Sequence, residues 1–200
     1  MSNYKSDNSF TKMVHEKLAI PLIYDKLNWK EQELKDKVSF NMDILNAIDA
    51  FFIELGKNRI ITVQERFRES KYSNYNDFTI RYKREYSKFE ERKLSEFFKL
   101  DADYFVYGII NTTKENVNSA NQFIKYAVID IKGIKNLIDK QEIIFSDNAT
   151  GYTCKIVNFK MMCPIIQNFD LSSSFVPIDI KLLNKMFPQN DIVLLQRGFF

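Results

Sequence analysis

Asp49 and the run Gln64-Glu65-Arg66 are the residues whose types and spacing suit the binding of a hard cation. They fall in two stretches rich in β-forming residues, Ala47–Leu55 and Arg59–Arg68, separated by Gly56-Lys57-Asn58. That pattern predicts a hairpin. If Gly56 and Lys57 form a two-residue type II′ loop, with Gly56 supplying the positive φ, partner numbers sum to 113 and Asp49 lies opposite Gln64. A three-residue loop raises the sum to 114 and brings Glu65 opposite Asp49. One residue of slip exchanges every side chain between the faces of the strand. The first register offers one carboxylate and one amide oxygen, the second two carboxylates; magnesium accepts either oxygen type, keeping several waters. Turn chemistry favours the first, which gathers Asp49, Gln64 and Arg66 into one polar cluster at the end of an otherwise apolar hairpin.

These residues need elements to hold them. From Ser9 to Asn28, Phe10, Met13, Val14, Leu18, Ile20, Leu22 and Ile23 recur at helical spacing, with Pro21 as a kink. "WKEQELKDKV", from Trp29, reads as a short charged helix, and after the hairpin "DFTIRYK", Asp77 to Lys83, reads as a third strand. A charged amphipathic stretch then sets Phe89, Lys93, Phe97 and Leu100 along one helix face, and Phe89, Phe97 and Phe98 read as core. Strands are predicted from Asp103 and from Phe123, and a short helix over "KGIKNLIDKQ". The last third carries a strand from Tyr152, a helix from Ile178 ended by Pro188, and a short strand from Asp191. The order is helix, three strands, helix, strand, then additions. The fold class expected is α/β (α+β), a mixed central sheet flanked by helices: a single domain 1–200 with a core at 9–131 and a C-terminal extension at 139–200.

With 45% hydrophobic and 28% charged residues, and five Gly and four Pro in 200, the composition is globular, with disorder expected only in the polar opening "MSNYKSDN". No apolar signal core and no run of roughly 20 apolar residues occurs, which predicts a cytoplasmic protein with no membrane partner. Two cysteines, Cys154 and Cys163, with the single histidine, His15, cannot build a thiolate–imidazole zinc site; the thiols read as core residues and His15 as an ordinary helix residue. Acyl transfer is a poor fit, and no Gly-rich phosphate loop, GxSxG elbow or dinucleotide fingerprint is present. Charge is uneven: of a net +3, residues 56–93 hold eleven basic against six acidic side chains, including six of the seven arginines. Such a field, with Tyr72, Tyr75, Phe78, Tyr82 and Tyr86 interleaved, suits a phosphate backbone.

An acidic residue on one strand, followed about fifteen residues later by a short polar triplet on its partner, resembles the PD-(D/E)xK nuclease superfamily. The resemblance covers roughly residues 9 to 131 and extends to "DILNAID", where Asp43 precedes Asp49 by six residues. It implies a restriction-endonuclease-like fold, hydrolysis of DNA rather than RNA phosphodiesters, a Mg2+ or Mn2+ cofactor and, by analogy with enzymes that read palindromes, a homodimer. The implied catalytic set is Asp49, Gln64, Glu65 and Arg66, with Asp49 and either Gln64 or Glu65 as metal ligands. Arg68, Arg81 and Arg84 would hold phosphates, and Tyr72 and Tyr75 would stack on bases; Asp77 reads as a loop-end carboxylate rather than a further ligand. Two positions depart from the pattern: Gln64 replaces the commoner carboxylate and Arg66 the lysine. An arginine cannot act as a general base, so Arg66 is left an electrostatic role and the metal must generate the nucleophile. The competing expectations are a non-catalytic nucleic-acid-binding module on the same fold and a structural protein whose polar strand end is an ion-pair network.

Overall fold

Alternation of apolar and polar residues over "RIITVQERFR" produces the longest strand among the described residues, β3 (Arg59–Arg68), in which Ile61, Val63, Glu65 and Phe67 are buried and the residues between them half-buried. The computed structural model describes residues 9–32, 46–84, 87, 93, 96–147 and 151–200. Asp43, Tyr86, Phe89 and the opening octapeptide lie outside them. β2 (Ala50–Glu54) pairs antiparallel with β3 through Ala50↔Val63 to Glu54↔Arg59, the expected register in which partner numbers sum to 113. The turn that produces it is not the expected two-residue closure. Residues 55–58 form a four-residue loop in which the Asn58 N–H donates to the Glu54 carbonyl at 3.1 Å, with Gly56 at φ +89 and Asn58 at φ +48. Lys57 and Arg59 both pair with Glu54, at 2.9 and 3.2 Å. Lengthening the loop by one residue on each side leaves the pairing unchanged.

β1 (Trp29–Glu31) adds to the free edge of β2, where a helix had been expected. Trp29 is buried, its ring stacked on Tyr24 and tilted against Phe52, and that burial holds its three residues in the sheet; the rest of the expected helix, from residue 33 on, lies outside the described residues. On the other side, β3 runs parallel to β5 (Tyr104–Ile110), followed antiparallel by β6 (Phe123–Asp130) and β12 (Val193–Arg197). The resulting six-stranded mixed sheet has the order β1-β2-β3-β5-β6-β12. A parallel neighbour needs a long crossover, and residues 69–103 supply it. β4 (Asp77–Lys83) lies in this crossover, so the predicted third strand exists but belongs to a second sheet, β10-β11-β4, with β10 (Ile166–Gln167) and β11 (Ser174–Asp179). A third small sheet joins β7 (Ile143–Ser146), β9 (Lys160–Pro164) and β8 (Lys155–Val157).

One face of the central sheet is covered by α1, helical over residues 9–14 and continuing as a π-helical segment His15–Tyr24 through Pro21. Val14, Leu18, Ile23 and Tyr24 pack there on Phe52, Ile61, Val63 and Val106. The opposite face receives β4, β11 and the helices α2 (Glu96–Lys99), α3 (Ile131–Asp139) and α4 (Ile180–Met186), with Phe78, Ile80, Phe105 and Ile109 in its core. α3 and α4 begin at Asp130 and Asp179, whose carboxylates accept the N–H groups of Gly133 and Leu182. The last third is therefore woven into both larger sheets through β11 and β12. Ile178 and Asp179, expected to be helical, complete β11 because Ile178 pairs with Phe78. Phe97 is half-buried but Phe98 is 42% exposed, so the expected phenylalanine stripe is only partly core. Cys154 and Cys163 are free thiols with sulfurs 3.2 Å apart. No helix among the described residues is long and apolar enough to cross a membrane.

Candidate functional site

Because side chains alternate along a strand, Gln64, Arg66 and Arg68 leave β3 on the face toward β4, while Glu65 leaves on the face toward α1. Asp49 joins the first group. Its N–H donates at 2.8 Å to the carbonyl of Val63, the residue already paired with Ala50, and its carboxylate reaches Gln64. Asp49 Oδ2 accepts from Gln64 Nε2 and from the Glu65 backbone N–H, each at 2.7 Å. Gln64 Oε1 is buried and lacks a hydrogen-bond partner.

Beyond this pair the face becomes cationic. Arg66 Nη1 donates to the Thr79 carbonyl at 2.5 Å, and its Nη2 pairs with Glu96 at 2.9 Å. Both side chains of that ion pair are at least 85% buried, and Glu96 Oε1 has no partner. Arg68 donates to Thr79 Oγ1 at 3.3 Å and lies over the Tyr72 ring, 5.2 Å from its centroid. Burial, reinforced by Arg66, pulls the Arg68 pKa below the usual arginine range. Burial likewise brings Arg81 down to about 10, with Arg66 and Arg84 adding like-charge repulsion. Among the described residues neither Arg68 nor Arg81 has a carboxylate within ion-pairing distance; Glu65 points away, Glu69 is taken by Lys71 at 2.6 Å and the Lys114 N–H at 3.1 Å, and Glu85 lies outside the described residues. Arg84, half-buried, donates its backbone N–H to the Lys93 carbonyl.

Asp77 opens β4 directly opposite Asp179 of β11. Burial and then that carboxylate push its pKa up to about 6, with Arg68 and Lys125 pulling it back. Tyr107, on β5, is pushed up to about 12 by burial. Tyr72 packs its ring against Arg68, and Tyr75, 56% exposed, sits 6.4 Å from it.

Glu65 forms a second polar cluster on the α1 face. Its carboxylate accepts the Tyr24 hydroxyl and lies 2.7 Å from His15 Nδ1, while His15 Nε2 lies 3.1 Å from Glu31. With a carboxylate at each ring nitrogen, the imidazole is held as the cation, both N–H groups donating. Burial opposes that charge, but the bonds to Glu31 and Glu65 prevail and raise the pKa to about 10. His15 in turn lowers the pKa of Glu31, and burial keeps Tyr24 protonated. Glu65 thus does not join Asp49 as a ligand; only its backbone N–H touches that carboxylate. His15, expected to be unremarkable chemically, is the hub of a buried network. A sequence signal existed: Glu65 occupies a buried position in the alternation Ile61, Val63, Glu65, Phe67, and a carboxylate there requires a partner. The Arg66–Glu96 pair had no such signal, because 30 residues separate them.

The donor set suits some metals and not others. Gln64 Oε1 is an orphan oxygen beside the Asp49 carboxylate, a pair that fits a Mg2+ or Mn2+ ion keeping most of its waters. Among the described residues no group of three His, Cys, Asp or Glu side chains could hold a metal in a closed cage. No protein-family model and no curated protein matches the sequence.

Proposed function

We propose that the protein is a metal-dependent nuclease that hydrolyses DNA phosphodiester bonds on the β3–β4 face. The observation that carries this reading is the half-buried pair Arg68 and Arg81, both without an ion pair among the described residues, on the side of the sheet that also carries Asp49 and the orphan oxygen of Gln64. Half-buried cations with no ion pair of their own call for an anion, and planar guanidinium groups match phosphate oxygens bidentately. The element order supports the same reading: a helix, the antiparallel β1-β2-β3, a crossover, and a strand parallel to β3.

Arg68 and Arg81 would hold phosphate oxygens on either side of the scissile bond. Asp49 and Gln64 would hold the ion, the first by its carboxylate and the second through Oε1; the Glu65 N–H bond fixes the Asp49 oxygen in place. When bound, the ion supplies Lewis acidity and a water of lowered pKa. Arg66 takes no proton and acts by charge alone.

Binding without cleavage is the second reading. It is favoured by the commitment of Arg66 to Glu96 and Thr79, and by the withdrawal of the Glu65 carboxylate to the other face. Cleavage of labelled linear, circular and branched DNA with Mg2+ or Mn2+, comparing wild type with Asp49→Ala at one salt concentration, separates the two. Cutting that needs metal and is lost in the variant is expected. Salt-sensitive binding with no cutting selects the second reading, and neither binding nor cutting rejects both.

A further inference from the structure

The turn joining β10 to β11 presents an aromatic ring where the protein offers it nothing to pack on. Phe169 is fully solvent-exposed, at 104% of its reference area, and Leu171 is 53% exposed with a left-handed φ of +57. The turn is nevertheless well tied. The Asn168 N–H donates to the Ser173 carbonyl and the Leu171 N–H to the Asn168 carbonyl, both at 2.9 Å. Asn168 Nδ2 reaches Ser173 Oγ at 2.7 Å, and the Ser172 N–H reaches Asp170 at 3.1 Å. A bulky residue held left-handed is strained, and strain of this kind gathers at functional turns.

Its position gives the ring a purpose. β11 pairs Phe175 with Arg81 and Ser174 with Lys83, and β10 pairs Gln167 with Ser174. The turn therefore projects past the Lys83–Arg84 end of β4, by roughly 7 Å at about 3.4 Å per residue. Lys83, Arg81 and Arg84 stand there against one carboxylate in the turn, Asp170, which is occupied by the Ser172 N–H.

We propose that Phe169, with Leu171 beside it, is a base-contacting element: the arginines of the β3–β4 face take the phosphates of a nucleic-acid strand and the Phe169 ring stacks on an unstacked base of the same strand. This rests on the reading of that face as a nucleic-acid site. A ring on a rigid turn loses little conformational entropy on stacking, and stacking accepts any base. The target is single-stranded or locally opened DNA.

The molecule contains its own comparator. Phe159, 95% exposed at the β8–β9 turn, also has a left-handed φ of +62 but lies at the far end of the extended segment 160–167, away from β4. Anisotropy titrations of a labelled single-stranded oligonucleotide and its duplex, without divalent metal, would compare wild type, Phe169→Ala, Phe159→Ala and Arg81→Met over a range of salt. Phe169→Ala is expected to weaken single-strand binding roughly ten-fold with an unchanged salt slope and an unchanged melting temperature. Phe159→Ala should stay within about two-fold, a change too small for a lost stacking contact. Arg81→Met should lower the salt slope by about one. If Arg81→Met acts and Phe169→Ala does not, the inference falls while the nucleic-acid reading stands. An equal loss from both phenylalanines, or a change in oligomeric state in place of affinity, overturns it as well. Wild-type protein that binds no DNA removes both the inference and its premise.

Discussion

The two faces of β3 carry two polar clusters built from adjacent residues, and they are resolved in opposite ways. On the α1 face, Glu65 has its charge answered: His15 and Tyr24 donate to it, and Glu31 takes the other side of the imidazolium. On the β4 face, Arg66 is paired with Glu96, whereas Arg68 and Arg81 are half-buried with no ion pair among the described residues. A buried charge that is matched holds the fold together; one left unmatched costs stability and is kept where something outside the chain can match it. The same strand thus anchors the molecule on one side and stays open to a ligand on the other. Glu65 links the two, its carboxylate fixed beneath the sheet and its N–H bonded to Asp49 above it.

Removing the anchor should have the largest effect. Glu65→Leu strands a buried imidazolium and a buried hydroxyl, and is expected to cost about 3–5 kcal/mol in urea unfolding at pH 7. A loss under about 1 kcal/mol, the scale of an ordinary hydrogen bond, would mean the cluster is not a matched ion network. The next effect is on pH dependence. The His15 pKa is raised from 6.5 to about 10, so its contribution is complete below pH 6.5 and is lost as pH rises through 10. Stability should therefore fall across that window, and His15→Gln should flatten the profile.

On the open face the pH trend has the same sign, but removing the group should stabilise the fold instead of weakening it. Asp77 is raised from 3.8 to about 6, so its folded form is favoured below pH 3.8 and that advantage disappears as pH rises through 6. At neutral pH its charge is a burden, and Asp77→Asn should stabilise the protein at pH 7.5 by up to about 3 kcal/mol, a gain that thermal denaturation would show shrinking toward pH 4. The smallest effect on stability belongs to Arg81→Met, expected to leave it unchanged or raise it by less than about 1 kcal/mol. A clear loss of stability in that variant would mean Arg81 is structural, and the contrast between the faces would fail there.

Much of this was legible in the chain. The alternation in "RIITVQERFR" and the position of Gly56 led to the register that sets Asp49 against Gln64, even though the turn itself is longer than the one expected. The clustering of arginines between residues 59 and 84 likewise foreshadowed a basic face. At Trp29 to Glu31 a strand stands where the start of a helix was expected, because three residues are too few to show a period and the strand depends on Trp29 finding Tyr24 and Phe52; residues 33–38 of that expected helix lie outside the described residues. The third strand was found, but its place was not: nothing in "DFTIRYK" says that it pairs with residues almost a hundred positions later in β11.

The sequence by itself determined which residues share a strand face, since a period of two is a local property of extended backbone. It therefore decided that Gln64, Arg66 and Arg68 go together and that Glu65 opposes them. Which groups answer those charges was settled by tertiary structure alone. His15 meets Glu65 across 50 residues and Glu96 meets Arg66 across 30, while Arg68 and Arg81 form no ion pair among the described residues. Charge pairing across such separations depends on how helices and sheets stack, and the stacking is driven by apolar burial, to which the charges must then accommodate.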